Sequence, residues 1–509
     1  MSATPTETPK NPLSKLLAYF KGHPTGFYFF FWGELAERCS YYGMLAILTF
    51  YLNETLKFSE SDSSRWAYYF QAATYLTPLI GGIIADRFLG KYWTIVGFAV
   101  PYVIGNWLMT WPQTEADVMH TAGGMAVPPI IMLIALVILA FGSGVIKPNL
   151  STLMGMTYDQ QKPGQLQLRS TAFSMFYWAI NVGSLIAQSS MPVLRNRVGP
   201  NNAFWLPTIL MVVALILFAM GKKYYAVETI QRTKKTPEEL KEQWSILVKL
   251  LGVFVLCAVF WSVMKHYNTV WLYFTRQRLD TTIFGSEYKA DQFQQLNAWF
   301  ILTFLPLSTI LFTWLEKKGY KIRPTDKMQV GFVFTALTPL MFVLADQMAG
   351  TGKASILWLV AGYFFITMAE ILISPVGLEL AFVAAPKSMK SFITACFLLT
   401  IFSGTLINSQ VTPLYSKEVI NTNARQQLQA SAFFVSGFAS TPVSMGGSLD
   451  SALELSLASA KEAVMKSYTP SQYFGVQAII ALFAVIAFYF IAIPFNRRLA
   501  GEPTTSQVK

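Results

Sequence analysis

An apolar run from about Gly26 to Leu52 carries Glu34, Glu37 and Arg38 at its middle, and that combination restricts the chain more than any other stretch. At about 1.5 Å of rise per residue, a helix of this length crosses the roughly 30 Å hydrocarbon layer. Charges at half depth are costly in hydrocarbon, so they must face protein or a water-filled cavity. Glu34 and Arg38 stand one helical turn apart and Glu37 is adjacent, which makes a single patch. Tyr41 and Leu45 continue the stripe, with Tyr42 beside it. Such a patch either locks two helices through a buried ion pair or handles protons or substrate in a transporter. The remainder of the chain favours the second reading.

Only 13% of the 509 residues are charged and the mean hydropathy is +0.41. A soluble chain carries about a quarter charged residues, so the expectation is an all-α polytopic membrane protein. The net charge of +12 does not gather on one face, as nucleic-acid binding would require. It falls in alternate loops, the signature of membrane orientation, with both termini cytoplasmic. Nucleic acid is thereby excluded as a partner; the lipid bilayer is implied. Cys39, Cys257 and Cys396 all lie in apolar segments and form no disulfide or metal pattern. The polar, basic first residues lead into a full-length span without a cleavage site, so the first helix is read as uncleaved.

About twelve spans satisfy the length criterion, at roughly 25–53, 64–86, 92–112, 128–156, 169–191, 203–221, 245–275, 290–315, 327–348, 354–384, 389–415 and 471–496. They group into a cytoplasmic tail (1–24), a six-helix bundle (25–221), a polar linker (222–244), a second six-helix bundle (245–496) and a cytoplasmic tail (497–509). The second bundle includes an extracytoplasmic loop, 416–470, read as solvated decoration with short surface helices, the alternative being a lid over the outer mouth. The turn Asp86-Arg87-Phe88-Leu89-Gly90-Lys91 is echoed by Glu316-Lys317-Lys318-Gly319-Tyr320-Lys321, which suits two repeated bundles rocking against each other. One functional unit per chain is the default for that architecture.

Further charges lie deep in other spans. Gly142-Ser143-Gly144-Val145-Ile146-Lys147-Pro148-Asn149 interrupts the fourth with a lysine that either snorkels or faces a cavity. Tyr177, Asn181, Ser184 and Gln188 give the fifth a polar face, as Gln294 and Asn297 do the eighth. Glu370 stands alone in the tenth, where a carboxylate carries a proton or pairs with a cation. A cavity between the halves would then be cationic on one wall (Arg38, Lys147) and anionic on the other. That suits a zwitterion, its amine at Glu370 and its carboxylate on the fork of Arg38 and the point charge of Lys147. Competition between Glu and substrate for these cations would couple transport to protons.

These residues resemble a known family. Glu34-x-x-Glu37-Arg38-x-x-Tyr41-Tyr42-Gly43 is similar to the ExxER(F)xYYG signature of the proton-coupled oligopeptide transporters, a branch of the major facilitator superfamily. The stretches Gly81–Lys91, Gly144–Asn149, Phe176–Ser184, Phe260-Trp261 and Glu370–Leu378 match as well. The resemblance implies uptake of di- and tripeptides with protons across the inner (plasma) membrane by alternating access, driven by the proton gradient without a cofactor. It implies that Glu34, Glu37, Arg38 and Glu370 couple protons, and that Arg38 and Lys147 take the peptide carboxylate. Glu370, with Asn181 and Asn297 nearby, would take the amine, and Tyr41, Tyr42, Tyr75 and Trp261 would shape the pocket.

The chain also departs from the family pattern. Cys39 replaces a phenylalanine. Leu45 and Lys265 stand where bacterial members commonly carry an Arg and a Glu that pair to close the outer side. Leu45, Lys265 and His266 are therefore the candidate gate, the last two being either a snorkelling pair at the outer edge or, for His266, part of a proton relay. The 222–244 linker is too short and polar for the two extra helices that many bacterial members have. Transport of nitrate or another small anionic or zwitterionic solute is the alternative function. Enzymatic activity is not expected, since His23, His120 and His266 are scattered and neither a metal motif nor a nucleophile elbow is present.

Overall fold

The computed structural model describes residues 21–122, 124–228, 237–384, 396–415 and 468–499. Its long helices are α1 (Thr25–Phe50), α2 (Glu60–Ile84), α3 (Lys91–Met109), α4 (Ile130–Gln161), α5 (Leu166–Val198), α6 (Trp205–Met220), α7 (Pro237–Lys265), α8 (Gln295–Lys317), α9 (Pro324–Ala349), α10 (Leu357–Ala384), α11 (396–415) and α12 (Pro470–Leu499). The protein is thus an all-α polytopic membrane protein, and each expected span coincides with one of these helices. The tail 1–20, most of the 416–470 loop and the C-terminal residues from 500 lie outside the described residues, as does the start of the eleventh span.

Three boundaries differ from the sequence expectation. Helix α2 starts at Glu60, four residues early, because the Ser59 side chain accepts the Asp62 backbone N–H at 3.0 Å and caps it. Helix α7 starts at Pro237, so the end of the expected linker is already helical; proline suits a first turn, and helix formers follow. The seventh span is broken. After Lys265 the chain makes a tight turn, His266–Asn268, passes Thr269 at φ −142° and ψ −92°, and resumes as a short helix, Val270–Arg278.

Seven of the described helical segments are long and apolar enough to cross a membrane by composition alone. Helices α1, α2, α3, α5 and the described part of α11 do not reach that standard; α1, α2 and α5 carry polar residues on protein-facing sides. The buried apolar residues form two cores, one drawn from residues 27–225 and the other from 250–492 together with Phe50.

The halves repeat each other. Helix α1 packs on α5, α2 on α4, and α3 on both α4 and α6; six helices later, α8 packs on α10, and α9 on both α10 and α12. The closest approaches repeat too. A Cβ on Gly183 of α5 would stand 2.8 Å from Leu35 O of α1, and one on Gly404 of α11 would stand 2.5 Å from Ala258 O of α7. Only glycine lets the backbones come so close.

The hydrogen bonds that join the two bundles gather at the end holding the α1–α2 turn. Thr49 Oγ donates to Asn268 O at 2.8 Å, Asn268 Nδ2 to Gln71 at 3.3 Å, and Gln294 Nε2 to Ala46 O at 2.9 Å. Ser63 meets Tyr273 at 2.7 Å, and Ser189 donates to Gln295 at 2.6 Å. The break in the seventh span is what frees the Asn268 carbonyl to accept from α1.

Candidate functional site

One turn of α1 gathers Glu34, Glu37 and Arg38, exposed by 0%, 0% and 2%. Glu37 grips the guanidinium with both oxygens, one accepting from Nε and the other from Nη2 at 2.5 Å. This two-pronged geometry is what Arg and a carboxylate form best. Arg38 Nη2 also donates to Ser143 Oγ of α4 at 3.1 Å. Glu34 is held differently. Its nearest oxygen is 3.5 Å from Arg38 Nε, and among the described residues none donates a hydrogen bond to either oxygen. Tyr41 is buried against Phe70 with its ring 5.1 Å from the guanidinium carbon, so it supports Arg38 from behind.

Lys147 lies one turn beyond Ser143 on α4 and is half-buried, within electrostatic range of Arg38, Glu34, Glu37 and Tyr75. From the other bundle, Glu370 of α10 is also half-buried and accepts from Asn297 Nδ2 at 3.0 Å; the same amide meets Thr367 Oγ at 3.1 Å. Asn297 thereby fixes the direction of the carboxylate. Lys147 and Lys265 both lie in electrostatic range of Glu370. Tyr42 senses Arg38 on one side and Glu370 and Tyr177 on the other. Tyr177, close to Glu370 in this way, is nevertheless 42% exposed. The charged groups of the two bundles thus lie within electrostatic range of one another across the seam between them. Asn181 is buried and spends its amide on Tyr177 O of its own helix, at 2.9 Å. Trp261 is buried with an indole N–H that has no acceptor.

The three residues expected at a gate are found elsewhere. Leu45 is part of the first core. Neither Lys265 nor His266 snorkels at a membrane edge, because the chain continues past them into the broken second half of the span; they are exposed by 6% and 0%. His266 lies inside the second bundle, its ring nitrogens within 2.6 Å of Ser262 O, 2.8 Å of Tyr473 Oη and 2.9 Å of Gln477. Lys265 reaches across to the first bundle, where Nζ meets Tyr75 Oη at 3.4 Å, and lies 5.1 and 5.4 Å from the Tyr75 and Trp261 ring centres.

Charges that sequence reasoning did not single out hold the bundles together. Arg195 of α5 pairs with Asp291, just before α8, at 3.1 Å, and both are buried. Arg276 pairs with Glu60 at 2.6 Å, and Glu54 stands 3.8 Å from Arg195 and 3.7 Å from Arg276. The two pairs are about 100 and more than 200 residues apart in sequence, so no local spacing announces them. Among the described residues, no group of three or more His, Cys, Asp or Glu could hold a metal ion.

A family model described as the POT family matches residues 92–235 and 226–428. "Peptide transporter family 1" of Caenorhabditis elegans is 31% identical over 374 residues, which covers 60% of this chain and 43% of that one. "Uncharacterized transporter YclF" of Bacillus subtilis is 25% identical over 463 residues, covering 78% and 89%. The chain spans about half the length of the animal relatives it matches. Among solved structures, a peptide transporter POT in complex with sulfate superposes with a TM-score of 0.73 at 21% identity, over 94% of this chain and 96% of that one. That likeness is one of fold: two six-helix bundles of the major facilitator type.

Proposed function

The chain belongs to the POT family, and from that premise we propose that it carries di- and tripeptides across the inner membrane together with protons, by alternating access. The observation that supports this most is that Lys147 of one bundle and Glu370 of the other lie in electrostatic range of each other, with Tyr42 in range of both Arg38 and Glu370. A peptide presents an ammonium and a carboxylate several ångströms apart. Glu370, aimed by Asn297, takes the first; Lys147 and, once released, Arg38 take the second.

Protons enter at the Arg38 cluster. With Glu37 ionised, the guanidinium is held by two parallel bonds and is not free for a guest. Neutralising a carboxylate here loosens Arg38 and lets it turn to the peptide. Glu34, to whose oxygens no described residue donates, is the carboxylate whose charge is least supported and the nearest relay to Glu37, whose protonation is what parts the two bonds. Substrate and proton together then permit the bundles to rock, one functional unit to a chain.

With both termini cytoplasmic, the joined end is the outer one and the hollow opens inward. The residues that keep it shut are Arg195–Asp291 and Arg276–Glu60, in place of a pair at positions 45 and 265. Breaking a buried pair leaves a charge without its partner at a cost of about 3–5 kcal/mol. In Asp291→Ala, a cysteine introduced at Thr49 becomes at least about tenfold more reactive toward an impermeant maleimide added outside. Unchanged labelling would remove the pair from this role.

The reading as a whole is tested with purified protein in liposomes. Adding Ala-Ala outside acidifies the lumen, while free alanine and nitrate do not. Acidification by nitrate alone, or none with any dipeptide, would overturn it.

A further inference from the structure

Three cations (Arg38, Lys147 and Lys265) and three carboxylates (Glu34, Glu37 and Glu370) meet between the bundles, but their pairing is uneven. Arg38 is engaged by Glu34 and Glu37, and Glu370 receives the Asn297 amide. Two ammonium groups remain, on Lys147 and Lys265, and among the described residues neither has a carboxylate within ion-pair distance. Burying a cation without a counter-charge is costly. The faces of Tyr75 and Trp261 offset part of that cost for Lys265. The remainder is unmet, since a lysine has three donors and the contact recorded for them, Tyr75 Oη at 3.4 Å, is long. A neutral dipeptide would bring one ammonium for Glu370 and a single carboxylate for two lysines.

We infer that Lys265 is a specificity-determining residue that selects dipeptides with an acidic residue at the carboxyl end, pairing with its side-chain carboxylate while Lys147 holds the terminal one. The inference rests on the peptide-transport reading. Tyr75 places the acid: Lys265 donates to its hydroxyl and Lys147 lies in its electrostatic range, an arrangement that suits two carboxylates on one C-terminal Glu. On an N-terminal acid they would be split between the walls, one beside Glu370, which repels it. The Tyr75 hydroxyl accepts from Lys265 and has Lys147 in electrostatic range, which makes it the spacer between the two cations.

Competition against Ala-Ala uptake tests this in proteoliposomes. Ala-Glu competes about tenfold more strongly than Ala-Gln, its neutral isostere, and more strongly than Glu-Ala; a charge-assisted hydrogen bond has that effect. In Lys265→Gln the ratio of Ala-Glu to Ala-Gln potency falls toward one, and in Lys265→Arg it is retained. Equal potency of Ala-Glu and Ala-Gln in the unaltered protein overturns the inference without recourse to a variant, as does an intact ratio in Lys265→Gln. Failure of every dipeptide to compete, with no Ala-Ala accumulated, is a separate result that removes the transport reading itself.

Discussion

Proteoliposomes carrying Glu37→Gln are expected to lose dipeptide accumulation driven by an imposed proton gradient, by about two orders of magnitude, while counterflow exchange of the same peptide persists. The expectation follows from the two bonds by which Glu37 holds Arg38. Each charge-assisted bond of this kind contributes about 1.5–3 kcal/mol, and glutamine keeps the shape but not the charge. Arg38 then keeps one neutral amide acceptor at that position, Glu34 at 3.5 Å from Nε and the Ser143 hydroxyl, but loses its one close bidentate carboxylate. Its guanidinium is left in the released condition whether or not a proton is present. Peptide can still bind and exchange, but its binding no longer waits for protonation, so the gradient has nothing to act on. Accumulation and counterflow are measured with the same labelled dipeptide in the same vesicles. If gradient-driven accumulation survived at its original level, Glu37 would be a structural partner of Arg38 and no more.

That cluster was legible from the residues because the bilayer leaves so few explanations for it. Three charges one turn apart at mid-span can only face protein or water, and the structure buries all three on a protein-facing side. Glu370 and Lys147 were legible for the same reason, as was the pairing of two bundles. What the pattern could not assign was which neighbour each group would choose. The resemblance implies Asn181 near the peptide amine, while its polar stripe alone leaves helix packing equally open; its amide bonds its own helix backbone, an option open to any Asn that finds a carbonyl four residues back. Tyr41 shares the stripe with Arg38 but packs beneath it.

The outer closure was illegible on more general grounds. Loss of the charges at Leu45 and at the position of Lys265 was visible in the sequence; their replacement was not. Arg195 and Asp291 sit near the ends of their spans, where charges are ordinary, and nothing local distinguishes a buried interhelical pair from two solvated residues. The break after Lys265 was hidden too, because Tyr267, Val270, Trp271 and Phe274 keep the stretch apolar straight through it. Periodicity cannot register a turn that occurs within a uniformly buried segment. Yet this break follows directly on Lys265 and brings Asn268 and Thr269 against α1 and α2.

Glu370→Ala separates binding from coupling. A carboxylate that anchors the peptide amine loses its whole contribution on truncation, so the expected result is a rise of about 10- to 100-fold in the dipeptide concentration needed for half-maximal counterflow. The Asn297 amide retains Thr367 as a partner, so the wall is not left with an orphaned donor and the fold is not the casualty. Counterflow is the right readout because it requires no net proton movement; a defect there belongs to the guest. Glu37→Gln moves the other quantity, and the two variants together divide the site along the line between its walls. Glu370→Gln refines the point, for it keeps an acceptor facing Asn297 but removes the charge that an ammonium seeks. Its affinity should fall close to that of the alanine variant. Unaltered half-saturation in Glu370→Ala would instead leave the amine without its proposed anchor and direct attention to the aromatic walls formed by Tyr42, Tyr177 and Tyr267, each of which lies in electrostatic range of that carboxylate.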